Sequence, residues 1–235
     1  MTDHSLVVLG AGYVGGELAR RAAAAGMRVT ALTRNPARAA QLAACGVHTV
    51  IADLATLDWH DRVPADADLV LNSVASGGGG LPGYQHSYVE GLRSILAWSR
   101  RTARPGHLIY TGSTSVYPQG DGARLDESAP TIAPGLDEPA AVLRTAEQRA
   151  LDWPGRATVL RLAGIYGPGR HHLLDQLRTT PPPATLPGAG GHHLNLIHRD
   201  DICGGCWAAW AADNTTAGTF NLADDGAATR AEVVA

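Results

Sequence analysis

Ser5-Leu6-Val7-Val8-Leu9 runs without a break into Gly10-Ala11-Gly12-Tyr13-Val14-Gly15, and this junction decides the fold. Ser5 and the four consecutive apolar residues after it, ending at a glycine, read as a short buried strand. The helical pattern that follows, Tyr13–Ala25 closed by Gly26, is an amphipathic alanine-rich segment with a C′ glycine. A G-x-G-x-x-G run is weak evidence alone but strong between a strand and a helix. Its first glycine permits a tight turn, its second lets the backbone approach a pyrophosphate, and its third lets helix pack on strand. The helix N-terminus then turns N–H groups and a partial positive charge toward the phosphates. Gly10, Gly12, Tyr13, Val14 and Gly15 are therefore candidate cofactor-binding residues.

Working outward, Arg28–Thr33 reads as the next strand. Pro36–Ala44 reads as a helix with Asn35 as N-cap and Pro36 at its first position. Val47–Ile51, Leu69–Val74 and His107–Thr111 continue the strands, with a helix over Tyr84–Arg101 before the last. Strands alternating with helices predict an α/β fold, a Rossmann-type doubly wound parallel sheet of about seven strands. Residues 1–155 form its dinucleotide-binding core. Residues 156–235 contribute a small C-terminal substrate-side lobe on the same domain, with a helix over Ala140–Leu151 leading in, strands at Thr158–Leu162, Leu194–Ile197 and Phe220–Leu222, and a helix from Asp200. Gly120–Glu138 and the stretch from Pro181 to Gly191 read as loops. Gly77–Gly80 reads as a mobile loop, not a binding element.

The end of the second strand, Thr30-Ala31-Leu32-Thr33-Arg34, lacks the carboxylate that an NAD site places on the ribose 2′-hydroxyl. It offers Arg34, whose guanidinium suits a 2′-phosphate, so NADP(H) is expected over NAD(H). Asp53 follows the third strand, either near the adenine amine or as an N-cap. Leu54, Val74 and Ala75 are expected along the same cofactor path.

Composition narrows the chemistry. The 235 residues are 45% hydrophobic and 17% charged, with net charge −3, a globular balance with no basic field for nucleic acid. No apolar run reaches the ~18 residues of a membrane span, and the N-terminus lacks a secretory pattern. Three cysteines, Cys45, Cys203 and Cys206, fit a reducing cytoplasm. All 19 basic residues are arginine, which excludes P-loop, Schiff-base and Ser-x-x-Lys lysines. The expected partner is a small-molecule substrate, with no nucleic acid and no membrane.

Four ordered motifs together resemble a family. They are the glycine turn, Tyr110-Thr111-Gly112-Ser113-Thr114-Ser115-Val116-Tyr117, Leu160 to Gly169 (LRLAGIYGPG), and Asn195-Leu196-Ile197-His198-Arg199-Asp200-Asp201, with Gly218 to Ala223 as a tail. The chain resembles the extended or atypical short-chain dehydrogenase/reductases, specifically the NAD-dependent epimerase/dehydratase group, over nearly its whole length. The resemblance implies that Ser113 holds the catalytic hydroxyl position, with Thr114 beside it, and that Leu162 to Ile165, including Gly164, pass beside the nicotinamide. It implies that Tyr166, Arg170, His193 and Asn195 face substrate. Helices 84–101 and 140–151 occupy positions through which relatives pair, so a homodimer is expected.

One departure from the family is decisive for mechanism. The Tyr-x-x-x-Lys acid/base pair falls, by counting back from Ala146-Glu147-Gln148-Arg149-Ala150-Leu151, on Pro139 and Leu143, and Tyr88 stands near the family's asparagine. Arg144 supplies charge one position along, but no proton relay at neutral pH. Another donor is required: Tyr117, His193, His198, or a water held by Ser113 and Thr114. Tyr117 is accordingly a candidate catalytic residue with Ser113 and Thr114. The expected function is an NAD(P)-dependent oxidoreductase or epimerase/dehydratase-like enzyme on a polar carbonyl or sugar-nucleotide-like substrate. The alternatives are a non-catalytic NADP(H)-binding module and a non-redox lyase or cyclase on the same fold. Cys203-Gly204-Gly205-Cys206 has redox spacing but lies in a helical segment and reads as close packing. The pairs His171-His172 and His192-His193 lack companion ligands, so no metal site is expected. No G-x-S-x-G or H-E-x-x-H run is present.

Overall fold

A computed structural model describes residues 4–135, 138–179, 190–212, 218–226 and 228–234. The first strand β1 (Ser5–Leu9) turns through Gly10 into α1 (Tyr13–Ala24), then β2 (Arg28–Thr33), α2 (Pro36–Ala43), β3 (His48–Ile51) and β4 (Leu69–Asn72). A continuous helical stretch follows, made of α3 (Gly80–Tyr84), a π-helical turn (Gln85–Glu90) and α4 (Gly91–Ser99). Next come β5 (His107–Ser113), a 3₁₀ turn (Thr114–Val116), α5 (Pro139–Ala150), β6 (Ala157–Leu162), β7 (Gly164–Tyr166) and α6 (His172–Thr179). The chain closes with β8 (His193–Leu194), β9 (Leu196–His198), α7 (Arg199–Ala211), β10 (Gly218–Leu222), β11 (Ala228–Thr229) and α8 (Arg230–Val234).

Seven strands form one sheet in the order β10-β6-β5-β4-β1-β2-β3, and every pairing in it is parallel. The order reverses between β1 and β4, and such a reversal opens a crevice at the carboxyl ends of the strands. The expected doubly wound sheet is thus observed. Residues after 156 complete it with β6 and β10, and only the short pairs β7–β9 and β8–β11 stand apart. Most of the stretch from Pro181 to Gly191 lies outside the described residues.

Both faces of the sheet are covered, as an all-parallel sheet requires. On one face, Val8, Leu71 and Ile109 pack with Leu18 and Ala22 of α1 and with Ile202, Cys203 and Cys206 of α7. The cysteine pair therefore packs the core, and burial pushes the Cys203 thiol up to about 11. On the other face, Val7, Leu9, Val70 and Leu108 pack with Trp59, Trp98 and Trp153. Each indole N–H donates to a backbone carbonyl (Leu54, Val63 and Gly106, at 3.2, 3.1 and 2.8 Å), so no indole donor is buried unpaired. Among the described residues no helix is long and apolar enough to cross a membrane.

His107 opens β5 at 6% exposure, with Nε2 2.8 Å from Thr158 Oγ1 and Nδ1 buried without a hydrogen-bond partner. Burial, helped by the charge of Arg156, lowers its pKa from the usual 6.5 to about 4. Above pH 6.5 the ring is neutral folded and unfolded, and the full stability is present. Between pH 6.5 and 4 only the unfolded chain gains the proton, so stability is lost as pH falls. We expect about 2–3 kcal/mol to disappear across that window. Melting temperatures followed from pH 7.5 to 4.5 should drop less steeply in His107→Gln than in the native chain. Equal slopes would assign the loss to other groups.

Candidate active site

The crevice holds an open cleft of about 940 Å³ lined from the ends of β1, β2, β4, β5 and β6. Its floor is the glycine turn. Gly10 adopts φ +89°, and a Cβ there would sit 2.8 Å from the backbone of Val74. A Cβ on Gly15 would lie 2.5 Å from the Gly10 carbonyl oxygen, so both positions need glycine for different reasons. Gly12 faces open space instead. The first turn of α1 carries no acidic residue and no side-chain cap, which leaves its amide donors turned to the cleft. Backbone donors, a helix N-terminus and a glycine-lined approach fit the diphosphate of a dinucleotide. Tyr13 and Val14 also line the cleft. The Tyr13 hydroxyl donates to the Pro168 carbonyl at 3.1 Å, and the guanidinium carbons of Arg170 and Arg199 lie 5.7 and 5.1 Å from its ring centre. Arg170, expected on the substrate side, is therefore held against the glycine turn.

At the far end of the cleft stand Arg34, Asp53 and Leu54, with Val74 and Ala75 on the wall. Arg34 does not project alone. Its NH1 lies 3.9 Å from Asp53 Oδ2, and the same carboxylate pairs with His86 Nε2 at 2.9 Å and accepts from the Ala55 N–H. Burial pushes the Asp53 carboxyl up, but the His86 and Ala55 hydrogen bonds outweigh it and the net shift is downward. The carboxylate absent from the end of β2 is thus present just past the end of the neighbouring strand β3, beside the arginine. A 2′-phosphate entering here would meet that negative charge, which opposes the NADP(H) preference expected from Arg34.

The other end collects hydroxyls and apolar surface. Ser113 Oγ accepts from the Ser115 N–H at 3.1 Å and shares a 2.8 Å hydrogen bond with Ser115 Oγ. The Thr114 hydroxyl donates to the Leu162 carbonyl at 3.3 Å, so its donor is committed to the sheet edge. Leu162 and Gly164 line the same end, as does Leu143 from α5. Leu143 stands where counting placed the missing lysine, and Pro139 sits exposed at the first position of α5. Arg144 offers no substitute, because its NH1 donates to Glu147 Oε1 at 2.7 Å.

Several expected site residues lie elsewhere. Tyr117 is drawn away from the cleft into a buried network. Its hydroxyl accepts from Arg161 NH1 at 2.6 Å and donates to Asn221 Oδ1 at 2.8 Å, while Arg161 forks onto both Glu147 oxygens at 2.9 and 2.6 Å. Its hydroxyl is thus committed to that network, outside the cleft lining. Tyr166 packs edge-on against His198, 5.1 Å between ring centres, and His198 Nδ1 accepts from the Asp200 N–H at 3.2 Å. His193 and Asn195 are exposed on and beside β8. None of these four borders the described cleft. Conversely, Tyr84, Ser87 and Tyr88 do line it, although the site reading passed over them. The available signal was their i, i+3, i+4 spacing, which puts a polar aromatic stripe on one helix face.

Fold and site together define a dinucleotide-binding α/β protein with a hydroxyl-lined reactive end. A sequence model of the NAD-dependent epimerase/dehydratase family matches residues 6–223. The chain belongs to that family. No curated protein matches it in sequence. Among solved structures it is similar to a Methylobacillus flagellatus protein assigned as an NAD-dependent epimerase/dehydratase (29% identity, TM-score 0.77, all of this chain and 80% of that one). It is also similar to MoeE5 bound to UDP-glucose and NAD (22%, TM-score 0.79, 98% and 79%). A third is the Bacillus cereus UDP-glucuronic acid 4-epimerase bound to UDP-glucuronic acid and NAD (20%, TM-score 0.79, 96% and 79%). The cofactor captured in the last two of these structures is NAD, which overturns the preference for NADP(H) and agrees with the carboxylate of Asp53 beside Arg34.

Proposed function

We propose that the chain is an NAD(H)-dependent oxidoreductase or epimerase acting on a nucleotide-linked sugar, in the reducing cytoplasm that its three free thiols suit. The observation that carries this reading is the shared cleft, which brings the glycine turn and Ser113 into one crevice. Backbone amides of residues 13–15, at the N-terminus of α1, would hold the diphosphate, with Arg170 lending charge, and Asp53 would face the adenosine. Leu54, Val74 and Ala75 would wall the adenosine half, and Leu162 and Gly164 the nicotinamide half. Bound there, the cofactor would take or return a hydride at the sugar carbon. Ser113 Oγ would orient the sugar hydroxyl or carbonyl, with Ser115 holding Ser113 in place. The sequence similarity supports a sugar nucleotide as the substrate class, since relatives of this fold hold UDP-glucose and UDP-glucuronic acid.

A second reading has one observation in its favour. Pro139 and Leu143 stand where the family carries its proton-transfer pair, which a pure binding module could tolerate. Calorimetric titration of NAD⁺, followed by UDP-glucose, checks both. The enzyme reading expects saturable binding of each and formation or interconversion of a keto sugar. Arg170→Ala should weaken NAD⁺ binding about tenfold, the range of one charge-assisted contact. Binding without any turnover would favour the module. Failure to bind NAD⁺ would remove both. A homodimer through α4 and α5 belongs to the same proposal, and a 24 kDa particle by light scattering at micromolar concentration would contradict it.

A further inference from the structure

The cleft contains fewer proton donors than its chemistry needs. Among the described residues that line it, the side chains with a titratable proton, arginine aside, are Asp53 and the phenols Tyr13, Tyr84 and Tyr88. Asp53 stands at the Arg34 end, paired with His86. Tyr13 belongs to the glycine turn, and its hydroxyl is spent on the Pro168 carbonyl. The remaining two come from the helical stretch packed against α5, the helix that carries Leu143. Their rings lie 5.3 Å apart.

Tyr88 lies in the π-helical turn of that stretch, a form that recurs as single turns at functional sites. The turn is tied down between the two phenols. His86 reaches Asp53 at 2.9 Å, and the Ser87 hydroxyl donates to the Ser76 carbonyl at 3.3 Å in the loop after β4. Tyr88 is the inner phenol of the pair. It packs against the buried cluster that holds Leu9, Val70 and Tyr110 and is also among the residues that line the cleft. A ring wedged between core and cleft is preorganised, which a mobile surface phenol is not.

We propose that Tyr88 Oη exchanges the proton with the substrate oxygen in this cleft, replacing the pair whose positions hold Pro139 and Leu143. The inference rests on the reading above that the cleft takes NAD(H) and a nucleotide sugar. Bound NAD(H) supplies or accepts the hydride with its electron pair. In the reducing direction the carbonyl π electrons move to oxygen, the Tyr88 O–H bond breaks, and its proton completes the alcohol. The phenolate recovers a proton from water. In the oxidising direction the phenolate takes the hydroxyl proton, and the O–H electron pair forms the carbonyl. Burial, reinforced by Tyr84 and partly offset by the Ser76 backbone, holds the phenol above its ordinary pKa. Tyr88 is therefore a ready donor at neutral pH and a base only toward alkaline pH.

The test uses the full chain loaded with NAD⁺, with UDP-glucose as probe. Reduced nicotinamide is followed at 340 nm in single turnover, and phenol ionisation is followed at 295 nm. Tyr88→Phe keeps the ring's packing and should slow the single turnover about 10²-fold or more, the usual share of a positioned acid or base, while NAD⁺ affinity stays within about twofold. UDP-glucose should shift the alkaline titration of one phenol in the native chain and of none in Tyr88→Phe. A rate within threefold of native in Tyr88→Phe overturns the assignment. So does a titration shift that persists there, or a larger loss in Tyr84→Phe. UDP-glucose that binds without moving any phenol sinks this inference and leaves the substrate reading standing. Absence of UDP-glucose binding removes the substrate reading, and this inference with it.

Discussion

Replacing Glu147 by alanine is expected to cost about 3–5 kcal/mol of folding stability, the range found when one partner of a buried ion pair is removed. Glu147 is 1% exposed and Arg161 3%. The carboxylate receives both arms of the Arg161 fork and one nitrogen of Arg144, so its loss leaves one guanidinium charged, buried and short of acceptors. In a domain of this size 1 kcal/mol moves the melting temperature by ~2–4 °C, so a fall of ~6–20 °C should appear in a thermal scan. Glu147→Ala combined with Arg161→Met should recover much of the loss, because the uncompensated charge goes with its partner. The network also fixes the cleft wall, since Glu147 lies one helical turn after Leu143 on α5 and Arg161 pins Tyr117 through its hydroxyl. A single variant within about 1 kcal/mol of native would show that water reaches Arg161.

Ser113→Ala should lower turnover of the nucleotide sugar by ~10²–10³, the cost of deleting a positioned donor at a developing oxyanion. NAD⁺ affinity should hardly move, because Ser113 lies at the hydroxyl end of the cleft and is no part of the glycine turn on its floor. Ser113 also caps the 3₁₀ turn by accepting from the Ser115 N–H, so a stability loss of about 0.5–2 kcal/mol accompanies the change. Turnover must accordingly be measured well below the melting temperature. Ser113→Thr retains a hydroxyl and should keep most of the rate. Unchanged turnover in Ser113→Ala would move the reacting oxygen away from this wall and favour the binding module.

The strands, their order of appearance and the glycine turn were legible because each depends on neighbours in sequence. Val7, Val8 and Leu9 are apolar on both faces, as a strand buried on both faces must be, and Gly10 must adopt a positive φ whatever follows it. The absence of lysine was equally local, and it excluded the usual proton relay before any geometry was known. Two readings needed the third dimension. Arg34 read as a free cation at the end of β2, but Asp53 arrives beside it from beyond β3, and the sign of that corner changes. Tyr117 read as a phenol next to Ser113. The partner that removes it, Arg161, comes from β6, 44 residues on.

Tyr84 and Tyr88 show the same division. Their spacing was visible, but whether that stripe faced solvent, core or cleft depended on where the π-helical turn lay against α5. Taken alone, the chain's order of residues determined the doubly wound sheet, the glycine turn, the hydroxyl at Ser113 and the loss of the family's acid/base pair. Backbone periodicity and short-range sterics set the first two, and the family resemblance, read against the residues present, implies the other two. Tertiary structure decided which charges neutralise one another and which phenols reach the cleft. Those depend on side chains brought together by parallel strands from distant segments, and no local pattern encodes such a meeting.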